Sequence, residues 1–281
     1  MKNINVLMTG ATGFVGKQVL KSLQSPNIQI TLILRSTHKD FYTQNKFIKS
    51  IIYTDNVFDE KPIWWEEACK NIDIFINLAW YAEPGKYLDS PLNTDCYNGT
   101  VSMIKGASKA GIKKFVGIGT CFEYKFSDCP LEISSPLDPQ TLYAKAKVDT
   151  FLYLTQFCND HKIEFLWCRL FYLYGEGEDE RRLIPYLRKT LSLGNTVQLT
   201  SGDKVKDYLD IKEAGRIIAN LSIKKHTGAY NVCSGKGVSI KDLAENIADE
   251  YNGRHLLNFG SHERASYDPP YIVGKKTDES F

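Results

Sequence analysis

Short apolar runs alternate with amphipathic stretches along the first 170 residues of the chain. Six of these runs are rich in Val, Ile, Leu and Phe and predict buried strands. They are INVLMTG (4–10), IQITLILR (28–35), KSIIYTD (49–55), IDIFINLAW (72–80), KKFVGIGT (113–120) and IEFLWCRLF (163–171). Between them, stretches such as GKQVLKSLQ (16–24) and GTVSMIKGASKAG (99–111) carry apolar residues at helical spacing. This alternation predicts the α/β class, a doubly wound parallel sheet with helices on both faces.

Composition and charge narrow the classes of partner. The 281 residues are 43% hydrophobic and 24% charged, with a net charge of +2 and no dense Lys/Arg block, which argues against nucleic acid and membrane surfaces as partners. The start, MKNINVLMTG, enters a glycine loop after a few apolar residues, so we expect neither a signal peptide nor a membrane span. Seven cysteines without a C-x-x-C pattern predict free thiols, a cytoplasmic protein and no metal site.

The glycines directly after the first predicted strand are the first candidate binding site. Gly10, Gly13 and Gly16 stand three residues apart in TGATGFVGKQVL and lead into an amphipathic helix. Glycine lets the backbone approach a pyrophosphate, and the helix N-terminus offers free N–H groups to the anion. The context predicts a dinucleotide-binding Rossmann domain. We place it at residues 1–168, with a return of the chain at about 205–222, and assign 169–281 to a smaller, discontinuous carboxy-terminal α/β substrate-binding domain, because the pattern there loosens into charged loops and short elements.

The end of the second predicted strand bears on the choice of dinucleotide. Folds that prefer NAD usually place an acidic residue there, where it binds the ribose hydroxyls. In this chain LILRSTHK puts Arg35 at that place, with Ser36, His38 and Lys39 nearby. A guanidinium can bind the extra phosphate of NADP in a forked geometry. The sequence therefore predicts NADPH as the cofactor.

Tyr143 and Lys147 stand four residues apart in TLYAKAK, which reads as the opening of a helix. Positions i and i+4 share one helix face. With the glycine triplet, this pair resembles the extended short-chain dehydrogenase/reductase superfamily, over residues 1 to about 270. The resemblance implies that Tyr143 is the general acid or base for a carbonyl or alcohol, and that Lys147 lowers the pKa of the phenol and holds the nicotinamide ribose. It also implies that Thr120, four residues before Tyr124 in GIGTCFEY, hydrogen-bonds the substrate oxygen.

The resemblance extends to other positions around the cofactor. The segment NLAW (77–80) is similar to the loop that flanks the cofactor in the superfamily. The implied cofactor-binding residues are Gly10, Thr12, Gly13, Phe14, Val15, Arg35, Ser36, Asp55, Leu78, Ala79, Tyr143 and Lys147.

Members of this superfamily reduce, epimerise or dehydrate, most often on nucleotide-linked sugars. The 4,6-dehydratases carry an Asp-Glu pair directly after the catalytic Thr, and here those places hold Cys121 and Phe122. Phenylalanine cannot transfer a proton, so dehydration is disfavoured. Epimerase-reductases that make GDP-fucose use a cysteine at the position of Phe122. A 4-epimerase usually retains NAD, whereas Arg35 indicates NADPH consumed as a reductant. We therefore predict a net reduction.

The carboxy-terminal part resembles a nucleotide-sugar site. RLFYLYGEGEDERRLIPYL is similar to the segment that closes over the diphosphate, with Tyr172 in place of the usual Asn. LTSGDKVKDYLDI puts Lys206 where a basic residue binds phosphate, and Arg264 in HERASYDPP matches a further diphosphate-binding arginine. The implied substrate-binding residues are Cys121, Phe122, Tyr172, Arg182, Lys206 and Arg264.

GTCFEY and TSGDKVKDYLDIKE carry a narrower resemblance to bacterial NDP-4-keto-6-deoxyhexose reductases, the group that includes CDP-abequose and CDP-paratose synthases. It implies NADPH-dependent reduction of the C4 ketone of a CDP- or dTDP-linked 4-keto-6-deoxyhexose for surface-polysaccharide (lipopolysaccharide) sugars. Two alternatives stay open: a nucleotide-sugar epimerase, which would consume no NADPH, and a non-catalytic NADP-sensing protein, which would typically lack the Tyr or the Lys. A homodimer is expected by analogy alone.

Overall fold

A computed structural model describes residues 3–23, 25–39, 46–261 and 269–277. Strands and helices alternate through the first part of the chain, as the apolar pattern predicts. In order they are β1 (Ile4–Thr9), α1 (Phe14–Ser22), β2 (Ile28–Arg35), β3 (Ile48–Thr54), α2 (Pro62–Ala68), β4 (Ile74–Asn77), α3 (Leu92–Lys109), β5 (Lys114–Thr120), α4 (Leu142–Asp160) and β6 (Glu164–Leu170). The six predicted strands all form. The central runs are apolar enough to be buried on both sides, whereas β3 lies at the edge of the sheet with Lys49 and Ser50 exposed, and its Ile, Tyr and Thr residues favour a strand.

The second part of the chain consists of shorter elements. In order they are β7 (Tyr172–Tyr174), α5 (Leu183–Ser192), β8 (Val197–Leu199), β9 (Val205–Asp210), α6 (Ile211–Ile223), β10 (Gly228–Val232), β11 (Gly237–Ser239), α7 (Ile240–Asp249), β12 (Leu257–Phe259) and β13 (Tyr271–Ile272). Strand β9 pairs with β7, β11 and β13, and β12 pairs with β8.

The central sheet has seven parallel strands in the order β10-β6-β5-β4-β1-β2-β3. The chain passes from β1 to β2 on one side and later adds β4 on the other side, so the strand order reverses between β1 and β4. In an open parallel sheet, ligands bind in the crevice at the carboxyl ends of the strands at such a reversal. The predicted doubly wound parallel sheet is confirmed, and its crevice lies beside the predicted glycine loop.

Both faces of the sheet are covered by helices. Along β1, Val6 and Met8 point into a core formed with α1 and α6, while Leu7 points into a second core formed with α2, α3 and α4. This alternation is the period of two that a pleated strand imposes. Within the described parts of the chain, no helix is long and apolar enough to cross a membrane.

The segment at about 205–222, where we expect the chain to return to the Rossmann domain, contains two elements with different neighbours. Helix α6 packs against α1 on the large sheet, but β9 is the centre of the small sheet instead. The seventh strand of the large sheet is β10, which pairs with β6 and was not predicted. The run GAYNV (228–232) is short and has little apolar pattern, so only its parallel pairing identifies it as a strand.

Gly106 permits the close packing of α3 against α2. An ideal Cβ at this position would lie 2.2 Å from the carbonyl oxygen of Pro62 and 2.5 Å from Cβ of Trp65. Alanine favours a helix by about 1 kcal/mol over glycine, but overpacking typically costs about 1 to 3 kcal/mol. We therefore expect Gly106→Ala to lower the free energy of unfolding, measured by urea denaturation.

The matched control is Lys105→Ala, an exposed position on the same helix, which should change the free energy of unfolding by less than about 0.5 kcal/mol. A Gly106→Ala variant as stable as the wild type or more stable would show that α2 and α3 can separate at no cost.

Candidate active site

The turn after β1 brings its backbone unusually close to the loop after β4. Gly10 has φ +70°, and an ideal Cβ there would lie 2.6 Å from the carbonyl carbon of Leu78 and 2.7 Å from the amide nitrogen of Ala79. A Cβ on Gly16 would lie 2.0 Å from the carbonyl oxygen of Gly10. These contacts exclude any side chain at Gly10 and Gly16, so the turn presents bare backbone at the crevice.

Helix α1 begins at this turn with its N–H groups available for an anion. Gly13 is the residue before the first helical turn, and it has no side chain that could cap the helix. The first turn, which contains Phe14 and Val15, carries no acidic residue, and Thr12 is half-buried just before it. A tight glycine turn and an uncapped helix N-terminus suit a pyrophosphate, so these residues fit the predicted dinucleotide.

A buried hydrogen-bond network fixes the two strand ends that flank the crevice. The hydroxyl of Thr9 donates to Oδ1 of Asn77 over 2.6 Å, and the amide of Ala79 donates to the same oxygen over 3.2 Å. Nδ2 of Asn77 lies 3.4 Å from the hydroxyl of Thr100 on α3. The loop that begins at Leu78 is therefore held against the glycine turn.

The predicted adenosine side of the cofactor site lies at the ends of β2 and β3. Arg35 is exposed at the end of β2, paired in register with Thr54, and Ser36 opens a short 3₁₀ helix. Ser36 and Asp55 line the same cavity of about 330 Å³. Its lining residues are Ser36, Tyr53, Thr54, Asp55, Asn56, Asp59 and Glu60.

Tyr143, Lys147 and Thr120 meet beside the crevice. Helix α4 begins after Thr141, whose hydroxyl accepts the amide of Ala144 over 3.1 Å. Because Tyr143 and Lys147 are four residues apart in this helix, they lie one turn apart on the same face. The phenol of Tyr143 lies close enough to the hydroxyl of Thr120, the last residue of β5, for that hydroxyl to affect its pKa. Nζ of Lys147, which is 3% exposed, donates to the carbonyl oxygen of Ile118 over 2.7 Å.

The pKa values of the two ionisable groups move in opposite directions. Burial raises the pKa of Tyr143 well above its usual range, the neighbouring Tyr87 raises it further, and the nearby hydroxyl of Thr120 offsets only part of this. The phenol is therefore protonated at neutral pH, whereas the sequence predicted that Lys147 would lower its pKa. The lowering of the phenol pKa by Lys147 that the resemblance implies stays a prediction. Burial lowers the pKa of Lys147 to about 7, and Cys96 and Glu123 partly oppose this change.

A buried ion pair below Thr120 was missed by the sequence analysis. Glu123 (0% exposed) accepts the amide of Thr120 over 2.8 Å and Nε of Arg169 (1% exposed) over 2.6 Å. Nε1 of Trp167 donates to both oxygens of Glu123, each over 3.1 Å. The Thr120 hydroxyl accepts the amide of Phe122, and the Glu123 carboxylate accepts the amide of Thr120. Together these two bonds make residues 120–123 a capping box. The T-x-x-E spacing in TCFE could have revealed this box.

Tyr124 extends the network rather than entering the crevice. Its hydroxyl accepts Nη1 of Arg169 over 3.0 Å and donates to Oδ1 of Asn231 on β10 over 2.6 Å. Nδ2 of Asn231 donates to the carbonyl oxygen of Leu131 over 2.8 Å. The network thus joins the end of β5 to β6, β10 and the loop before α4.

The predicted substrate residues are not all at the surface of the crevice. The side chain of Phe122 is half-buried and lies edge-on to Tyr172, with ring centroids 6.2 Å apart. Cys121 is 2% exposed in an apolar cluster, and burial raises the pKa of its thiol to about 12. Lys206 is 2% exposed, and its Nζ donates to the carbonyl oxygen of Pro269 over 2.7 Å. Cys121 and Lys206 therefore support the wall of the site.

Arg182 lies beside Tyr87, and Arg264 is outside the described residues. The exposed guanidinium of Arg182 lies 5.9 Å from the ring centroid of Tyr87. Tyr87 in turn meets the ring of Tyr143 edge-on, with centroids 4.8 Å apart. Tyr87 therefore connects Arg182 to the candidate catalytic tyrosine, a contact that the sequence did not indicate.

A doubly wound sheet with this glycine turn at its strand-order reversal, and with Tyr, Lys and Thr side chains meeting beside it, defines an extended short-chain dehydrogenase/reductase. The chain belongs to the NAD dependent epimerase/dehydratase family, whose model matches residues 6–233. The predicted family resemblance and the predicted class of enzyme are confirmed.

Three proteins that are similar to this chain are named as a dehydrogenase, a synthase and an epimerase. The dTDP-6-deoxy-L-talose 4-dehydrogenase (NAD(+)) of Aggregatibacter actinomycetemcomitans is 26% identical over 97% of this chain and 100% of its own length. The CDP-abequose synthase of Salmonella typhimurium is 24% identical over 95% of this chain and 88% of its own length. The UDP-N-acetylglucosamine 4-epimerase structure from Methanobrevibacter ruminantium shares the fold, with a TM-score of 0.86 and 20% identity over 99% of this chain and 91% of its own.

Removing the charge of Glu123 tests the buried network. Glu123→Gln keeps the shape of the side chain but leaves Arg169 as a buried cation without its carboxylate. Breaking a buried pair in this way costs roughly 3 to 5 kcal/mol, and we expect a loss of that size in the free energy of unfolding in urea.

As the control, Glu67→Gln removes a carboxylate from an exposed pair with Lys70 and should cost at most about 1 kcal/mol. Equal losses in the two variants would mean that the Glu123–Arg169 pair contributes no more than a surface pair.

Proposed function

We propose that this protein reduces the C4 ketone of a nucleotide-linked 4-keto-6-deoxyhexose, CDP- or dTDP-linked, in deoxysugar biosynthesis of the kind that supplies bacterial surface polysaccharides. The observation that carries the proposal is the meeting of a protonated Tyr143, a buried Lys147 and the Thr120 hydroxyl at the carboxyl ends of the strands. The names of the relatives support it, since a 4-dehydrogenase of a dTDP-6-deoxyhexose and a CDP-abequose synthase match nearly the whole chain.

The protein's own groups supply the proton and the orientation. A bound NADPH provides the hydride, and the balanced reaction converts ketone, NADPH and a proton to alcohol and NADP⁺. Tyr143 donates its hydroxyl proton to the oxygen of the ketone as negative charge develops there, and solvent later restores that proton. Thr120 hydrogen-bonds the same oxygen and fixes its orientation relative to Tyr143.

The neighbours of Thr120 favour reduction over elimination. A dehydratase needs groups that exchange protons next to the reacting sugar. Phe122 has none, and the thiol of Cys121 is buried with its pKa raised to about 12. Neither residue presents a proton-exchanging group to the reacting sugar, because the Cys121 thiol is 2% exposed in an apolar cluster, so we assign the proton chemistry of this site to the half-buried Tyr143.

We assign the nucleotide sugar to contacts with the aromatic pair Phe122 and Tyr172 and with Arg182. Aromatic rings suit the apolar face of a deoxysugar, and an exposed guanidinium suits a diphosphate. Lys206 lies behind Tyr172, with Nζ 5.3 Å from the centre of the ring, so it acts on this wall rather than as the first contact of a phosphate.

A panel of CDP-, dTDP-, UDP- and GDP-linked 4-keto-6-deoxyhexoses tests the proposal, with NADPH oxidation followed by absorbance and products identified by NMR. Stoichiometric NADPH oxidation with a 4-hydroxy product supports a reductase. Product formation without net NADPH oxidation would instead identify an epimerase, and NADPH binding without turnover of any sugar would identify a sensing protein.

Tyr143→Phe keeps the ring and its packing but removes the proton donor. Turnover should fall by roughly 10²- to 10⁴-fold, the usual contribution of a positioned general acid, while the dissociation constant of NADPH stays close to that of the wild type. Stopped-flow measurement of ketosugar reduction gives the rate. Tyr153→Phe is the control on the same helix and should keep wild-type turnover; a Tyr143→Phe variant that does the same would remove the tyrosine from the chemistry.

Arg35→Asp tests the choice of cofactor. The substitution removes the partner proposed for the 2′-phosphate and adds a repelling charge, so kcat/KM for NADPH should fall and the preference should move toward NADH. Lys49→Asp makes the same change of charge at an exposed position at the opposite end of the strands and should leave the preference unchanged. The dTDP-6-deoxy-L-talose 4-dehydrogenase is named for NAD(+), and a wild-type enzyme of the present sequence that already prefers NADH would contradict the role of Arg35.

A further inference from the structure

Trp80, at the end of the loop NLAW, lies directly on the candidate catalytic lysine. Nζ of Lys147 is 3.6 Å from the centre of the Trp80 ring system, compared with 5.8 Å for the ring of Tyr143 and 5.9 Å for that of Trp167. An ammonium this close to the face of an indole is attracted by the negative charge of the π system.

Lys147 needs such a partner because it is buried among groups that give its charge little support. Its Nζ donates to the carbonyl oxygen of Ile118, and an ammonium has three N–H groups to satisfy. The ionisable groups that face it are Cys96 on α3, Glu123 on the 3₁₀ helix at 121–123 and the protonated Tyr143 on its own helix. Glu123 is already paired with Arg169, and the side chain of Cys96 is a thiol that accepts the amide of Tyr81.

The ring of Trp80 is itself fixed from behind. Its indole N–H donates to Oδ1 of Asn93 over 2.9 Å, and Asn93 is 1% exposed on the first turn of α3. Nδ2 of Asn93 donates to the carbonyl oxygens of Tyr87 and Ser90 over 2.6 Å and 2.9 Å. The same loop accepts the backbone amide of Tyr143 at the carbonyl oxygen of Leu88 over 2.8 Å. One buried asparagine therefore holds the surroundings of both catalytic side chains.

We propose that Trp80 is a positioning residue that holds Lys147 in place as an ammonium. The effect on the reaction rests on the proposed function, whereas the effect on the lysine itself does not. In this arrangement the indole face and the Ile118 carbonyl occupy two sides of the ammonium and leave its remaining N–H for the cofactor ribose assigned to Lys147.

The direct test is the pH titration of the Lys147 side chain by NMR in protein labelled with ¹³Cε-lysine, with Lys147→Arg used to assign the signal. Removing the ring in Trp80→Leu should lower the pKa of Lys147 by about one unit, the shift expected from a desolvated cation–π contact. Trp80→Phe keeps an aromatic face and should lower it less. Trp64→Leu removes a tryptophan from α2 and should leave it unchanged. An unchanged titration of Lys147 in Trp80→Leu overturns the proposal.

A second measurement is the dissociation constant of NADPH at several pH values. Because Lys147 in Trp80→Leu should lose its charge at a lower pH than in the wild type, NADPH binding by the variant should be weaker than wild type by roughly tenfold well above both pKa values, and hardly weaker near pH 5, where both lysines are charged. An equal loss at every pH would show a packing defect and would overturn the proposal. If the wild type bound no NADPH, the proposed function would fail, and the NMR titration would still decide the role of Trp80.

Discussion

The carboxylate of Glu123 is the interaction on which the candidate site depends. It is completely buried, and it receives the Thr120 amide, the Trp167 indole and the Arg169 guanidinium. Replacing a buried ion pair by apolar residues is often neutral for stability, but leaving one partner alone is costly. The main role of the Glu123–Arg169 pair is therefore to fix positions. It holds the end of β5 relative to β6 and, through Tyr124 and Asn231, relative to β10.

Burial then sets the chemistry beside that strand end. It raises the pKa of Tyr143 and lowers that of Lys147, so each group is pushed toward its neutral form. A neutral phenol is a proton donor, which suits reduction of a ketone. A neutral lysine would lose its attraction for a ribose and for developing charge, and the indole of Trp80 opposes that loss. The reaction therefore needs Tyr143 in its neutral form and Lys147 in its charged form, and Trp80 in the loop after β4 favours the charged form of Lys147.

Local patterns predicted most of this architecture. The central strands of the first 170 residues were visible because a strand buried on both faces is a continuous apolar run, and the edge strand β3 was visible because it is rich in Ile, Tyr and Thr. The Tyr143–Lys147 pair was visible because helical spacing places i and i+4 on one face. Contacts between distant segments were not visible: Trp80 and Lys147 are far apart in sequence, as are Glu123 and Arg169. The burial of Lys206 was also missed, since a lysine in a charged segment predicts an exposed side chain.

The central claim is that hydride passes from an exchangeable reduced cofactor to C4 of the sugar. Incubation with NADPH carrying deuterium at both C4 positions of its nicotinamide, followed by NMR of the product, measures this transfer directly. We predict one deuterium at C4 of the sugar for each NADP⁺ formed. Formation of NADP⁺ without deuterium at C4 of the product, or recovery of the sugar as a 4-ketone or its epimer with the cofactor still in its reduced form, would contradict the account.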